Sequence, residues 1–207
     1  PSDEPAAHAP APPGPTPTTE PADPPTMLVV GDSYSSYYGD LSTPHPGWWA
    51  HVAAELAMRP VLSADAGTGF VARGSSCEST RYRARLGEVR ELSPRILVVE
   101  GGRNDWRRCT AGGDLVPATR TQIVAAVDRY FAELADVWDE LGHARADVYV
   151  MSPWGTSLAH KARVIRPLIR AAARRHGFTW VRTDTLDRAH APDGIHPNDL
   201  GSRLLYR

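Results

Sequence analysis

Short β-rich apolar runs alternate with amphipathic helical patterns from Met27 onward, and this alternation is what most restricts the fold. Strands that alternate with helices form βαβ units, which build a parallel sheet covered by helices on both faces. The candidate strands are 27–30, 61–66, 95–99, 147–151 and 180–183. The helical patterns cover 48–58, 118–141 and 158–176, and a last helix is expected to start near Asn198. The sequence therefore predicts an α/β fold, a three-layer α/β/α sandwich around a five-stranded parallel sheet.

Composition and charge exclude several classes of protein. The 207 residues carry a formal net charge of −1 and are 42% apolar, which suits one globular domain. A near-neutral chain argues against nucleic acid as a partner, because nucleic-acid-binding domains usually present a basic surface. The sequence lacks closely spaced Cys and His ligands, so we expect no metal. No apolar run approaches the roughly 18–20 residues of a membrane-spanning helix.

The first 26 residues differ from the rest of the chain, since they are rich in proline and alanine is their only apolar residue type. Such a segment buries too little surface to offset the entropy lost on ordering. We therefore predict a disordered Pro/Ala-rich linker over 1–26 and one folded domain over 27–207. Linkers of this kind often join a domain to an anchor, so a membrane or envelope tether is expected. The alternative is a disordered tail without a function.

Candidate catalytic groups follow the predicted strands, because open parallel sheets bind ligands outside the carboxyl ends of their strands. Ser33 follows the first strand and should open a helix. Asp193 and His196 are spaced so that the carboxylate can accept the imidazole Nδ1 proton and leave Nε2 free as a base. Each motif alone has an ordinary explanation, since serine is a common helix cap and a single histidine is usually structural. Together they predict an activated serine nucleophile.

Gly67 and Asn104 follow the second and third predicted strands and supply hydrogen-bond donors. Acyl transfer places negative charge on the carbonyl oxygen, and each preorganised donor lowers the barrier by roughly 3–4 kcal/mol. Gly67 can offer its amide without a Cβ that blocks the substrate, and Asn104 can offer its side-chain amide. In isolation, the two residues would be read as a turn glycine and a loop asparagine.

Four sequence blocks, in this order, resemble the signatures of the SGNH hydrolase family, also called GDSL esterases and lipases. They are Gly31-Asp32-Ser33-Tyr34, Gly67-Thr68-Gly69, Gly102-Arg103-Asn104-Asp105 and Asp193-Gly194-Ile195-His196-Pro197. The resemblance covers the chain from about residue 27 to its end. It implies a flavodoxin-like sandwich and ester hydrolysis through an acyl-enzyme, with no cofactor and no metal.

The same resemblance assigns a role to each matching residue. Ser33 matches the nucleophile and the first oxyanion donor, and Gly67 and Asn104 match the second and third donors. His196 matches the base, and Asp193 matches its orienting partner. Two positions depart from the family pattern: Tyr34 replaces the leucine of the family name, and Asp65 stands where asparagine is often found. Neither removes a catalytic group.

A rival motif, 155–159, approximates the Gly-x-Ser-x-Gly nucleophile elbow of α/β-hydrolases, with Ser157 as the nucleophile. This alternative leaves Gly67 and Asn104 without a role, and about 180 residues is small for that fold.

Three further residues are candidates for substrate binding. Trp106 and Trp154 follow predicted strands and are expected near the rim of the site, where an aromatic face could stack on a sugar or line an acyl slot. Arg103 belongs to a group of arginines after strand ends that would favour an anionic substrate. The alternatives are structural burial for the tryptophans and a solvated loop for the arginine.

Cys77 and Cys109 are the only cysteines, and both are predicted in loops at the same edge of the sheet. We predict a disulfide between them, the alternative being two buried thiols. A disulfide would suit a secreted or cell-envelope-associated bacterial protein.

The sequence thus favours a serine esterase that acts on small or carbohydrate-borne acyl groups through an acyl-Ser33 intermediate. Its expected partner is an acyl ester of a carbohydrate or a lipid. An acyltransferase with the same site, which would transfer acetyl or another acyl group to a glycan, is the first alternative. A catalytically inactive carbohydrate-binding domain is the second.

Overall fold

The fold is taken from a computed structural model that describes residues 23–207. The predicted linker therefore lies largely outside the described residues. Five parallel strands form one sheet: β1 (Thr26–Gly31), β2 (Arg59–Ala64), β3 (Ile96–Glu100), β6 (Val148–Met151) and β7 (Thr179–Trp180). Two short strands, β4 (Arg107–Cys109) and β5 (Leu115–Pro117), form a separate antiparallel hairpin. The helices are α1 (Ser33–Ser36), α2 (Trp48–Glu55), α3 (Leu86–Leu92), α4 (Arg120–Glu140), α5 (Ala159–Arg175) and α6 (Asp199–Tyr206).

The strand order is β2-β1-β3-β6-β7, which is the order of flavodoxin-like sheets when the five strands are counted along the chain. The predicted five-stranded parallel sheet and the three-layer α/β/α sandwich are therefore confirmed. Strand order reverses between β1 and β3, and this switch point is where open α/β sheets bind their ligands. The loops that follow β1 and β3 carry Ser33 and Asn104.

Alternate residues of β1 face the two helical layers, because successive side chains of a strand point to opposite faces. Leu28 and Val30 pack in the core shared with α3, α4 and α5. Met27 and Val29 pack on the other face with α2, and α6 contributes partly buried side chains there. Since both faces of β1 are buried, the strand is a continuous apolar run rather than an alternating one.

Helix α4 illustrates how local sequence produces an element and its packing. Thr119 and Gln122 form a capping box, in which each side chain accepts a hydrogen bond from the other residue's amide. The predicted apolar stripe is fully buried against the sheet; it comprises Ile123, Val127, Tyr130, Phe131, Leu134 and Trp138.

Helix α3 and the β4–β5 hairpin were not predicted from the sequence. Helix α3 has seven residues and each hairpin strand has three, which is too short for hydrophobic periodicity to identify them. Strand β7 is also shorter than predicted, since only Thr179 and Trp180 pair with β6. Among residues 23–207, no helix is both long enough and apolar enough to cross a bilayer.

Candidate active site

Ser33 lies two positions after β1 and begins α1. Asp32 caps this helix, because its Oδ1 accepts a hydrogen bond of 3.0 Å from the Tyr34 amide. Ser33 Oγ lies 3.0 Å from His196 Nε2, although 163 residues separate the two in sequence. At this distance the hydroxyl can donate its proton directly to a neutral imidazole.

His196 is oriented by Asp193 within a single tight turn. Asp193 Oδ2 lies 2.7 Å from His196 Nδ1, and Asp193 Oδ1 accepts hydrogen bonds of 2.7 Å from the amides of Ile195 and His196. Partial burial raises the pKa of Asp193, but these three hydrogen bonds outweigh it and hold the pKa below its usual value. The carboxylate therefore stays ionised at neutral pH and favours the imidazole tautomer with its proton on Nδ1.

A second Asp-x-x-His turn precedes the first by six positions. His190 Nδ1 lies 2.6 Å from Asp187 Oδ1, so this turn also pairs a carboxylate oxygen with an imidazole Nδ1, at a distance close to the 2.7 Å between Asp193 and His196. Within residues 23–207, however, no serine hydroxyl hydrogen-bonds to His190. The contact with Ser33 distinguishes the two turns.

Tyrosines that follow Ser33 contact the turn that carries His196 and flank its imidazole ring. Tyr38 Oη donates a hydrogen bond of 2.5 Å to the Pro197 carbonyl, which ties the segment after α1 to the catalytic turn. The Tyr37 ring lies 4.9 Å from the His196 ring between centroids and is 59% exposed. Tyr37 was not among the residues predicted from the sequence. Its position four residues after Ser33, one helical turn further on, was the available signal.

Two backbone amides near Ser33 are free to bind an oxyanion. The amides of Ser33 and Gly67 have no hydrogen-bond acceptor within the described part of the chain. Gly67 has φ of +73°, in the left-handed region, and a Cβ there would come within 3.2 Å of the backbone of Gly74 and Ser75. Glycine is therefore needed for this turn.

Asn104 joins the loops that carry these amides. Its Nδ2 donates to Asp32 Oδ2 at 2.9 Å and to the Thr68 carbonyl at 3.0 Å. Asp32 precedes Ser33 and Thr68 follows Gly67, so the side chain of Asn104 lies between the two other predicted donors. Because both of its amide protons have acceptors, Asn104 must give up one contact in order to hydrogen-bond a substrate oxygen.

Asp105 fixes the loop that contains Gly67. Its carboxylate is fully buried, and its Oδ1 accepts hydrogen bonds from the amides of Val71 at 2.6 Å and Ala72 at 3.2 Å. Burial raises the pKa of Asp105 to about 6, although hydrogen bonds from backbone amides oppose this increase. The sequence analysis gave this residue no role of its own, although it belongs to the third family block.

The three predicted substrate-binding residues differ in exposure, and Arg103 Cζ lies 5.4 Å from the Trp154 ring centroid. Trp154 is fully buried in the core, which corrects the expectation that it lies at the rim of the site and agrees with the alternative of structural burial. Its Nε1 donates to Ser152 Oγ at 3.3 Å, which lets the indole be buried without an unpaired polar group. Arg103 is 6% exposed, and its Nη1 donates to the Ser157 carbonyl at 2.7 Å. Trp106 is partly exposed, with Arg107 Cζ 4.5 Å and Lys161 Nζ 6.0 Å from its ring centroid.

Ser157, the nucleophile of the rival motif, supports the catalytic turn through its backbone. Its amide donates to the Gly194 carbonyl at 2.7 Å. No hydrogen bond joins its hydroxyl to a histidine within residues 23–207, whereas His196 Nε2 contacts Ser33. The geometry therefore favours Ser33.

Cys77 and Cys109 form the predicted disulfide, with their Cα atoms 5.7 Å apart. Cys77 lies in the loop after β2 and Cys109 ends β4. The bond thus links the chain segment that contains Gly67 to the segment that contains Asn104, in addition to the noncovalent link made by Asp105.

Replacing both cysteines by serine is expected to lower the free energy of unfolding by roughly 3–4 kcal/mol, because the bond restricts the unfolded chain between positions 32 residues apart. Urea unfolding of the wild type and the double variant measures this difference. Reductant should destabilise the wild type to the same extent and leave the double variant unchanged. A loss below about 1 kcal/mol would mean that restriction of the unfolded chain contributes little here.

Several solved structures share this architecture. Est24, a carbohydrate acetylesterase from Sinorhizobium meliloti, is 14% identical with a TM-score of 0.58, covering 88% of this chain and 94% of its own. An M. smegmatis aryl esterase is 14% identical with a TM-score of 0.59, at coverages of 88% and 94%. TesA is 23% identical with a TM-score of 0.56, at coverages of 87% and 93%. At these identities the likeness establishes the fold, and no curated protein matches the chain.

No group of three or more His, Cys, Asp or Glu side chains between residues 23 and 207 is arranged to hold a metal ion. The family model of the GDSL-like lipases and acylhydrolases matches residues 29–204, which is most of the chain. The protein therefore belongs to the GDSL-like lipase/acylhydrolase family, as its sequence blocks indicated, and is a carboxylic ester hydrolase of the SGNH type.

Proposed function

We propose that the protein hydrolyses small or carbohydrate-borne acyl esters through an acyl-Ser33 intermediate. The observation that carries this proposal is the continuous relay from Ser33 Oγ to His196 Nε2 at 3.0 Å and from His196 Nδ1 to Asp193 Oδ2 at 2.7 Å. A relay of this kind turns a weakly nucleophilic hydroxyl into an effective nucleophile.

The acylation step begins when His196 Nε2 takes the proton of Ser33 Oγ and the oxygen attacks the ester carbonyl carbon. The carbonyl electron pair moves to its oxygen, which the free amides of Ser33 and Gly67 stabilise. When the tetrahedral intermediate collapses, the bond to the alcohol oxygen breaks and His196 returns the proton to the leaving alkoxide. This leaves an acyl-serine and a neutral imidazole.

Deacylation repeats the same steps with water as the nucleophile. His196 takes a proton from water as the hydroxide oxygen bonds to the acyl carbon, and the intermediate then expels Ser33 Oγ, which recovers its proton from His196. The products are a carboxylic acid and the free enzyme. If a sugar hydroxyl replaces water, the same steps transfer the acyl group to a glycan.

The surroundings of Ser33 support a small acyl group. Asn104 is polar and partly exposed, so a long alkyl chain would gain little apolar contact beside it. The exposed ring of Tyr37 next to His196 offers an apolar face to a sugar ring. The similarity of the fold to a carbohydrate acetylesterase supports the same preference.

Export also forms part of the proposal. The Cys77–Cys109 disulfide supports an oxidising compartment, since such bonds are rare in reducing cytosol. We propose that the protein is secreted or envelope-associated, with residues 1–26 as a linker to a tether.

A series of 4-nitrophenyl esters from acetyl to octanoyl, together with acetylated xylo-oligosaccharides, tests the substrate class. We expect kcat/KM to be highest for acetyl and to stay flat or fall as the chain lengthens. An increase of roughly fourfold per added methylene would instead indicate an apolar acyl pocket, since a buried CH₂ contributes about 0.8 kcal/mol. Adding a sugar acceptor tests transfer: acylated sugar in place of free acid would identify an acyltransferase.

A further inference from the structure

Two fully buried carboxyl groups, Asp32 and Glu100, lie directly behind the nucleophile. Asp32 follows β1 and Glu100 ends the neighbouring strand β3, so the sheet brings them together from 68 positions apart. Glu100 Oε2 accepts hydrogen bonds from the Asp32 amide at 3.2 Å and from Ser35 Oγ at 2.9 Å. Gly31 makes room for this approach, because a Cβ there would lie 2.8 Å from Glu100 Oε2.

The hydrogen-bond pattern shows where a proton belongs. Within residues 23–207, Glu100 Oε1 has no hydrogen-bond partner, whereas Oε2 already accepts from the Asp32 amide and Ser35 Oγ, so Oε1 is the oxygen that can carry a proton. Asp32, in contrast, accepts from the Tyr34 amide and from Asn104 Nδ2. Burial raises the pKa of both carboxyls, that of Asp32 to about 7 and that of Glu100 well above its usual range.

Asp32 connects this buried proton to the reaction site. Its Oδ1 fixes the turn on which Ser33 lies, and its Oδ2 accepts the Asn104 amide that is aligned between the two oxyanion loops. Neither Asp32 nor Glu100 is exposed to solvent. They can therefore influence the reaction by orienting Ser33 and Asn104, without touching a substrate.

We propose that Asp32 and Glu100 form a proton-sharing carboxyl pair that positions Ser33 and Asn104 for acyl transfer. Its effect on turnover rests on the proposed function, whereas the sharing of a proton does not. Glu100 remains protonated and donates to Asp32, whose single negative charge holds the Asn104 amide in place. Both residues are positioning residues.

Other titratable and charged groups surround the pair, and their effects on a titration must be distinguished from those of the pair. Asp105 and Arg103 come from the loop after β3, Tyr34 and Tyr38 from the region of α1, and Tyr82 and Arg85 from the 3₁₀ turn before α3. Among the carboxyls in this set, Asp105 needs its own control, because its pKa of about 6 lies in the working range.

Infrared difference spectroscopy tests the shared proton without any substrate. We expect the wild type at about pH 8 to show a carboxylic acid C=O band that is lost in Glu100→Gln. The band should persist in Asp105→Asn and in Glu88→Gln, a matched change at an exposed residue of α3. If the wild type lacks the band, or if Glu100→Gln retains it, the proposed pair is wrong.

A double-mutant cycle on kcat tests the positioning role. Asn104→Ala is expected to lower kcat by roughly 100-fold or more if Asn104 stabilises the oxyanion. If Asp32 acts through Asn104, Asp32→Asn should also lower kcat with little change in KM, and the double variant should be no slower than the slower single variant. Losses that multiply would mean that Asp32 does not act through Asn104, and would overturn the role.

The acid side of the kcat profile separates the pair from a merely structural contact. Glu100→Ala removes the donor to Asp32, so Asp32 should gain a proton at higher pH and the acid limb should move up by roughly one pH unit or more. Glu100→Gln keeps a donor, its side-chain amide, and should restore the acid limb of the wild-type profile. This variant also provides a test if Glu100→Ala does not fold. The proposal would be contradicted if folded Glu100→Ala and Glu100→Gln had the same acid limb in their kcat–pH profiles. It would also be contradicted if the acid limb of Glu100→Gln were shifted from that of the wild type.

The two proposals fail in different ways. If wild-type protein turns over no ester but shows the infrared band, the pair exists and the proposed function is wrong. If ester turnover is intact and the band is absent, the function stands and the pair is wrong.

Discussion

Ser33→Ala is expected to lower kcat for ester hydrolysis by roughly 10⁴-fold or more, because no other hydroxyl in the described structure contacts His196 Nε2. Covalent labelling by a fluorophosphonate should be lost at the same time. Stability should change by only about 1 kcal/mol or less, since the substitution removes one hydrogen bond and leaves the backbone of α1 intact. Initial rates with 4-nitrophenyl acetate, mass spectrometry of labelled protein and a thermal melt measure the three effects.

Ser157→Ala is the matched control for this prediction. Ser157 occupies the rival motif and contacts the catalytic turn through its amide, which alanine retains. We expect activity and labelling to remain near wild-type levels. If Ser157→Ala abolishes labelling while Ser33→Ala retains it, the nucleophile has been assigned to the wrong serine.

His196→Ala is expected to lower kcat by about the same factor as Ser33→Ala, because either change removes the pair that transfers the first proton. The effects should not multiply in the double variant, since the two residues act as one unit. Asp193→Asn should cost roughly 10²- to 10⁴-fold: an asparagine amide facing Nδ1 favours the wrong imidazole tautomer, but the Asp193 side chain is half exposed and water can partly replace it.

The chain supplies its own control for this second prediction. His190→Ala removes an imidazole with the same carboxylate contact but no serine partner, and its backbone carbonyl still accepts from the Asn198 amide. We expect kcat within about threefold of the wild type, as for most changes away from a reacting group. A loss for His190→Ala equal to that for His196→Ala would show that the two turns cannot be separated by their contact with Ser33.

Much of the fold followed from sequence because its signals are local. The apolar runs of β1 and β3 and the stripe on α4 each report burial within a few residues of chain, and alternation of such elements restricts the topology. Helix α3 and the β4–β5 hairpin were not predicted because they are short and depend on contacts with distant parts of the chain. Trp154 was misplaced for a related reason: its position after a strand gave its location along the chain but not the direction of its side chain.

Prediction of the candidate site had the same limit: local motifs could be found in the sequence, and contacts between distant segments could not. Ser33, Asp193 and His196 were predicted because their spacing and neighbours resemble family blocks. The contacts of Asn104 were not, since its acceptors belong to Asp32 and Thr68, which lie 72 and 36 positions away. Tyr37 and Asp105 are important because of their contacts with other residues of the site. Sequence spacing alone did not predict these contacts.

By itself, the sequence determined the fold class and the family and predicted the residues of the candidate site, because hydrophobic periodicity and motif spacing are properties of short segments. The family block favoured His196, but only the tertiary structure brings its imidazole within 3.0 Å of Ser33 Oγ, since that contact joins segments 163 positions apart. The tertiary structure also decided the proton affinities of Asp32 and Glu100. Those proton affinities depend on the loss of water around each carboxyl and on the groups that lie near it in space. Both conditions arise only after the strands have paired.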